Sequence, residues 1–173
     1  MEFNLNDALN LLNRTPHALR AMLEGLPSEW INRNEGEMTW SPYDVIGHLI
    51  HGERTDWIPR AKIILKEGEK REFEPFDRYA QFDESKGKSI DELLETFERL
   101  RRENIGSLKE LSLKPEDLEK KGKHPELGKV MLKELLATWV AHDQDHLVQI
   151  SRTIARQYIE AVGPWRAYLS VMK

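Results

Sequence analysis

The sequence predicts an all-α protein, and three of its properties lead to this fold class. Charged residues make up 32% of the 173 residues, and there are only ten glycines, a balance that favours amphipathic helices over short strands and tight turns. Apolar side chains also recur at three- and four-residue spacing in four long segments that loops separate. We therefore expect a four-helix bundle with a short C-terminal helical tail, folded as a single domain over residues 1–173.

The first two helices are each marked by a proline. Apolar residues at helical spacing span residues 5–26, and Thr15-Pro16 within them is typical of an N-cap followed by a first helical residue, so we expect the helix to restart or kink there. Ser41 and Pro42 form a similar start signal for the second helix. Because proline lacks the amide hydrogen that a helix interior requires, Pro59 predicts a kink or a break in this helix.

A long charged connection follows at residues 67–87. Its four aromatic residues show no clear period, and they either line the mouth of a pocket or, as is commoner, pack over one end of the bundle. Ser89 then caps the third helix, whose inward face extends to Leu111. Residues 114–123 mix basic and acidic side chains and are predicted to form a solvated polar loop.

The longest apolar pattern predicts a fourth helix from about Val130 to about Tyr158. Gly163-Pro164 ends it, and Trp165 and Met172 belong to an amphipathic tail. We expect this tail to pack on the bundle or on a second subunit.

Two histidines interrupt the apolar stripe of the fourth helix. His142 and His146 share the helix face of Trp139, so both imidazoles occupy positions where core residues are expected. Residues four apart on a helix have Cβ atoms roughly 6 Å apart, so both rings can bind one cation at the ~2.0–2.1 Å of zinc–nitrogen bonds. Hydrogen-bonded core histidines are the alternative interpretation, and a third ligand would decide between the two.

A third imidazole is available on the second helix. His48 lies at the edge of its apolar face and His51 lies farther round toward solvent, so periodicity weakly favours His48. His17, near a helix start, and His124, in a loop, are interpreted as surface histidines.

Composition excludes several classes of protein. The chain has no cysteine, so disulfides and thiolate metal sites are excluded, and any transition metal must be held by imidazole or carboxylate. The net charge of −4, from 26 basic and 30 acidic residues, gives no general attraction to nucleic acid or to anionic lipid. No apolar run approaches the ~20 residues of a membrane span, and the N-terminus lacks a signal segment, so we expect a cytoplasmic protein.

Several motifs spread over most of the chain occur together in one known family. They are Thr15-Pro16, Trp40-Ser41 through His48-Leu49 with Glu53, the 124–128 loop, the 139–150 segment with both histidines, and Val162-Gly163-Pro164-Trp165. In these motifs the sequence resembles the DinB/YfiT-like proteins. The resemblance implies a four-helix bundle with a mononuclear three-histidine metal site.

The resemblance also implies which residues bind the metal. One divalent ion is expected to be held by His48, His142 and His146. Imidazole suits zinc, nickel, copper and iron, and zinc and nickel are the expected metals.

Three acidic residues are candidates for orienting a histidine or accepting a proton, namely Glu53, Asp143 and Asp145. The alternative interpretation is that Asp143 and Asp145 are solvated surface acids. A protease of the HExxH type is disfavoured, because Asp143 stands where that motif requires glutamate.

Two classes of function remain open at this point. The first is a metal-dependent enzyme: the resemblance implies a thiol-dependent S-transferase that acts on small electrophiles with a low-molecular-weight thiol such as bacillithiol, mycothiol or glutathione, and a metal-dependent hydrolase is the alternative. The second is a non-catalytic stress-response bundle with a structural metal. An open metal position and a ligand-sized cavity would favour the enzyme.

Two further expectations concern solution behaviour. The apolar tail and the resemblance both indicate a homodimer. The substrate is expected to be a small molecule. Metal affinity is expected to fall as the pH drops through roughly 6.5, because imidazole must be neutral to coordinate.

Overall fold

The computed structural model describes residues 1–173, which fold into eight α-helices and one hairpin. The helices are α1 (Leu5–Leu23), α2 (Ser28–Asn32), α3 (Pro42–Thr55), α4 (Trp57–Lys66), α5 (Ala80–Ser85), α6 (Ile90–Glu110), α7 (Pro115–Leu118) and α8 (Leu132–Arg156). The strands are β1 (Lys121–His124) and β2 (Gly128–Met131). Short 3₁₀ helices span Gly68–Lys70, Gly163–Tyr168 and Ser170–Met172.

Four helical segments form a bundle, which confirms the predicted fold class. These are α1, the consecutive pair α3 and α4, α6 and α8. Both α1 and α3 pack against α6 and α8. The order around the bundle is therefore α1, α6, α3 and α8, which places α3 and α8 side by side although α6 lies between them in the sequence.

The core of the bundle has two apolar halves. One half contains Trp57, Leu108 and Trp139, and the other contains Leu19 and Phe97. Buried polar residues lie between the two halves on all four helical segments, at Thr15, Glu53, Arg101 and Asp143. This polar layer is at the same level of α8 as the histidine pair.

Helix α1 does not restart at Thr15-Pro16, which corrects the sequence-based expectation. It runs without interruption from Leu5 to Leu23 with Pro16 inside it. Proline cannot donate a hydrogen bond to the carbonyl four residues earlier, and Arg101 Nη1 instead donates to that carbonyl, of Leu12, at 3.0 Å. A contact from another helix thus replaces the missing bond.

The second helix breaks where Pro59 predicted. Helix α3 ends at Thr55 and α4 begins at Trp57, which leaves Pro59 in the first turn of α4, where its missing amide hydrogen costs least. At the start of α3, Ser41 and Asp44 form a capping box.

Residues 114–123 are not simply a polar loop, and this prediction is corrected. They contain α7 and β1, and β1 pairs with β2 in an antiparallel hairpin. The Phe73 amide donates to the Lys123 carbonyl at 3.0 Å, which ties the hairpin to the long connection. Gly122 allows the close approach, because a Cβ there would lie 2.6 Å from Ile64 Cγ1 and 3.0 Å from Phe73 Cζ.

The C-terminal tail packs on the bundle only in part. Met172 is buried, whereas Trp165 and Tyr168 are exposed. None of the helices combines the length and the apolar composition needed to cross a membrane.

Candidate metal centre

Three histidines meet between α3 and α8. His142 Nε2 lies 3.0 Å from His48 Nε2 and 3.1 Å from His146 Nε2. His48 and His146 are buried, and His142 is half-buried. The four-residue spacing on α8 aims two rings at one point, and the adjacent α3 supplies the third. The structure therefore brings together the three histidines that the resemblance assigned to a metal.

The hydrogen bonding of His146 indicates which ring nitrogen is free. Its Nδ1 lies 2.8 Å from Gln149 Oε1, an acceptor, so we assign the ring hydrogen to Nδ1 and the lone pair to Nε2. A single hydrogen on His142 Nε2 can point at only one of its two neighbours. A cation among the three nitrogens accepts all three lone pairs at once.

Burial keeps these imidazoles neutral. It lowers the pKa of His48 to about 3 and the pKa of His142 to about 3, and in both cases His146 adds to the effect. Burial also lowers the pKa of His146, against the opposing effect of its bond to Gln149. Neutral imidazole is the form that coordinates metal.

The donor set fits a divalent transition metal. Nitrogen ligands at ~2.0–2.1 Å from one tetrahedral ion lie ~3.3 Å apart, close to the 3.0 and 3.1 Å between His142 Nε2 and its two neighbours. No other histidine or acidic side chain joins this cluster, and the chain has no cysteine. Three protein ligands without a fourth are typical of catalytic sites, whereas structural zinc sites are closed by four.

The histidines form the floor of a cavity of about 680 Å³. Four aromatic side chains contribute to its walls, namely Trp40, Trp57, Phe73 and Phe76. The cavity has the size and the partly apolar lining of a small-molecule site.

Aromatic rings also hold the imidazoles in place. Trp40 lies with its ring centroid 4.8 Å from that of His48, and Phe76 meets the same imidazole edge-on at 5.2 Å. Trp57 meets His142 edge-on, also at 5.2 Å. Of the four aromatic residues of the 67–87 connection, Phe73 and Phe76 line the cavity, whereas Tyr79 and Phe82 are exposed and do not pack over the end of the bundle.

The other three histidines differ in their surroundings. His51 is buried, not directed toward solvent as periodicity suggested, because α5 covers it and Glu84 Oε1 lies 3.0 Å from its Nδ1. His17 is exposed, as expected. His124 was predicted to be a surface histidine in a loop, but it is half-buried on β1 and contributes to the cavity wall.

The three acidic candidates separate into two groups. Asp145 is exposed and lines the cavity. Asp143 is only 1% exposed and Glu53 only 2%, so Asp143 is not a surface acid. The hydrogen-bonding partner that Glu53 and Asp143 share is the Arg101 guanidinium, and neither carboxylate bonds to an imidazole.

Arg101 uses all five of its N–H groups inside the core. Nε and Nη2 donate to Glu53 Oε1 at 3.1 and 2.8 Å. Nη1 and Nη2 donate to the two oxygens of Asp143 at 2.5 and 2.9 Å, and the second Nη1 hydrogen reaches Leu12. Sequence reasoning missed this residue, although its place on the apolar stripe, four residues from both Phe97 and Ile105, was a usable signal.

The hydrogen bonds of Glu53 are those of a carboxylate. Burial raises the pKa of Glu53, and the guanidinium opposes that effect. Both Glu53 oxygens accept from donors only, including Trp139 Nε1 at 2.9 Å and Asn104 Nδ2 at 3.0 Å, as a carboxylate requires. Although burial alone would lower the pKa of Arg101, the two acids raise it above its ordinary value.

Comparison with known proteins agrees with this arrangement. A sequence profile of the DinB superfamily matches residues 11–150. A protein of Oceanobacillus iheyensis named "Putative metal-dependent hydrolase OB0782" is 25% identical over 155 residues, covering 88% of this chain and 87% of that protein. The solved structure of YfiT from Bacillus subtilis is described as a probable metal-dependent hydrolase with an unusual four-helix bundle topology. It superposes on this chain with a TM-score of 0.76 at 20% sequence identity, and the match covers 88% of this chain and 86% of that chain. The DinB profile covers most of the sequence, and the chain belongs to the DinB superfamily.

Proposed function

We propose that the protein is a metal-dependent enzyme that binds one divalent ion, zinc or nickel, and acts on a small molecule. The observation that carries this proposal is the meeting of three Nε2 atoms at the floor of a ligand-sized cavity. His48, His142 and His146 would hold the ion. When bound, such an ion polarises a substrate carbonyl and activates a nucleophile.

Hydrolysis of a small electrophile is the reaction that we propose first. It agrees with the hydrolase names of the similar proteins. The aromatic walls would hold the apolar part of a substrate and limit the access of bulk water. Asp145 is the exposed carboxylate nearest in sequence to the ligands, and it lines the cavity, where it would accept a proton from the nucleophile.

Thiol transfer is the second candidate. A cavity of about 680 Å³ has room for a low-molecular-weight thiol beside a small electrophile. Arg78 adds an exposed cationic group at the cavity, which could pair with a carboxylate of such a thiol.

Elemental analysis of protein purified without a histidine tag tests metal binding. We expect about one equivalent of divalent metal in the parent protein and little in His142→Ala, because removing one of three ligands leaves too few to retain the ion. His17→Ala is the matched control, since this histidine is exposed, and it should retain the parent content. Equal metal content in parent and His142→Ala would contradict the proposed site.

Assays of the metal-loaded protein then separate the two reactions. A hydrolase should convert ester or amide probes without added thiol, and a transferase should consume a model electrophile only when a thiol such as glutathione or bacillithiol is present. Neither reaction should occur with His48→Ala after the same incubation with metal, because this variant lacks one of the three ligands. A metal-loaded parent that is inactive in both assays would favour a structural metal.

A further inference from the structure

The polar layer joins the two helices that carry the histidines. Glu53 lies on α3, five residues after His48, and Asp143 lies on α8, directly after His142. Both carboxylates bind the same guanidinium, which comes from α6. Each helix that supplies a candidate ligand therefore also supplies one arm of a single ion-pair network.

Both carboxylates of the network also accept hydrogen bonds from donors other than Arg101. Besides binding Arg101, Asp143 Oδ2 accepts from Thr15 Oγ1 at 2.6 Å, and Glu53 accepts from Trp139 and Asn104. Residues of α1, α3, α6 and α8 all take part. Because these bonds are buried and mutually dependent, a shift of α3 relative to α8 would break several of them at once.

We propose that Arg101 is a positioning residue for the metal centre, which sets the separation of α3 and α8 and so holds His48 in register with His142 and His146. This inference rests on the proposed function. Arg101 belongs neither to the cavity lining nor to the histidine cluster, and it acts through Glu53 and Asp143. Interactions that orient metal ligands typically change affinity by about 10- to 100-fold when they are removed.

Geometry, more than charge, makes arginine necessary here. The planar guanidinium reaches two carboxylates on two helices and the Leu12 carbonyl simultaneously. A lysine ammonium keeps the positive charge, but its three donors radiate from one nitrogen and cannot span these partners. Arg101→Lys therefore keeps the positive charge but removes the planar guanidinium, so it tests the effect of geometry separately from that of charge.

The test is the affinity for Zn²⁺ alone, measured by competition with a chromophoric chelator, in the parent and in Arg101→Lys. We expect a loss of affinity of about 10-fold or more, with a changed visible absorption spectrum when Co²⁺ replaces Zn²⁺, because that spectrum responds to ligand geometry. Leu94→Ala is the matched control, since it removes a buried side chain from the same helix away from the polar layer. The control should melt earlier than the parent and still bind Zn²⁺ with parental affinity.

Several results of these measurements would overturn the inference. Parental affinity in folded Arg101→Lys, or an equal loss of affinity in Leu94→Ala, would overturn it. If Arg101→Lys does not fold, Glu53→Gln takes its place, because the amide keeps the shape of the side chain while weakening its bond to Arg101. Unchanged affinity in Glu53→Gln would overturn the inference equally. A parent that binds no Zn²⁺ would overturn the proposed function and this inference with it.

Discussion

His48 and His142 show how burial changes the acid–base behaviour expected from the sequence. Free imidazole titrates near 6.5, and the sequence alone indicated that protons would compete with metal from that pH downward. In the folded protein burial lowers the pKa of both rings to about 3. Competition from protons at the folded site should therefore begin well below pH 6.5.

The same pKa values predict how the metal-free protein responds to acid. Below pH 6.5 the unfolded chain takes up protons on these histidines, while the folded chain excludes them until about pH 3. Lowering the pH through this window therefore favours unfolding. We expect the urea midpoint to fall steadily from pH 7 to pH 4, and the slope to be shallower in His142→Ala. A parent midpoint that is independent of pH in this window would contradict the prediction.

At the scale of single residues, the sequence predicted the histidine pair of the site but not the polar layer beside it. The spacing of His142 and His146 was readable, because two side chains four residues apart on a helix must share a face. The ion pairs of Glu53 and Asp143 could not be predicted, since their common partner Arg101 comes from a helix distant in the sequence. Periodicity reports the face of one helix but does not show what the neighbouring helix presents.

At the scale of secondary-structure elements, the hairpin packs closely against its neighbours at one glycine. Gly122→Ala would place a Cβ within 2.6 Å of Ile64 and 3.0 Å of Phe73, so we expect a loss of about 1–3 kcal/mol of stability from overpacking. Urea unfolding of the parent and the variant measures this loss.

Gly106→Ala is the matched control for the hairpin variant. Gly106 lies inside α6 with nothing within 4 Å of an added Cβ, and alanine there should stabilise the protein by about 0.5–1 kcal/mol. Similar effects of the two glycine substitutions would show that close packing at Gly122 is not what limits its replacement.

The four long helical segments could be predicted from the sequence and the hairpin could not, for a physical reason. Long amphipathic helices repeat their apolar pattern over several turns, and α8 was expected to within two residues at each end. The strands are four residues long and contain little apolar alternation. Their pairing is fixed by contacts with Phe73 and Ile64, which no local pattern records.

For the whole molecule we predict a homodimer. Tyr158, Trp165 and Tyr168 are 57%, 71% and 83% exposed near the C-terminal end of the bundle, and exposed aromatic groups of this kind are typical of protein interfaces. Light scattering should give a mass near twice the 20.3 kDa of one chain. Trp165→Ser should shift the protein toward monomer, whereas Tyr79→Ser, at a residue 72% exposed on the 67–87 connection, should not. A strictly monomeric parent at all concentrations would contradict this prediction.

The order of the helices around the bundle also has a consequence for how the chain folds. His48 and His142 are 94 residues apart, and α6 lies between α3 and α8 in the sequence. Contacts at such separations form late and slowly, because a long loop must close before they are made. We therefore expect the centre to be completed only when α8 docks on α3, so that the capture of a dissolved metal ion during refolding would time this step of assembly.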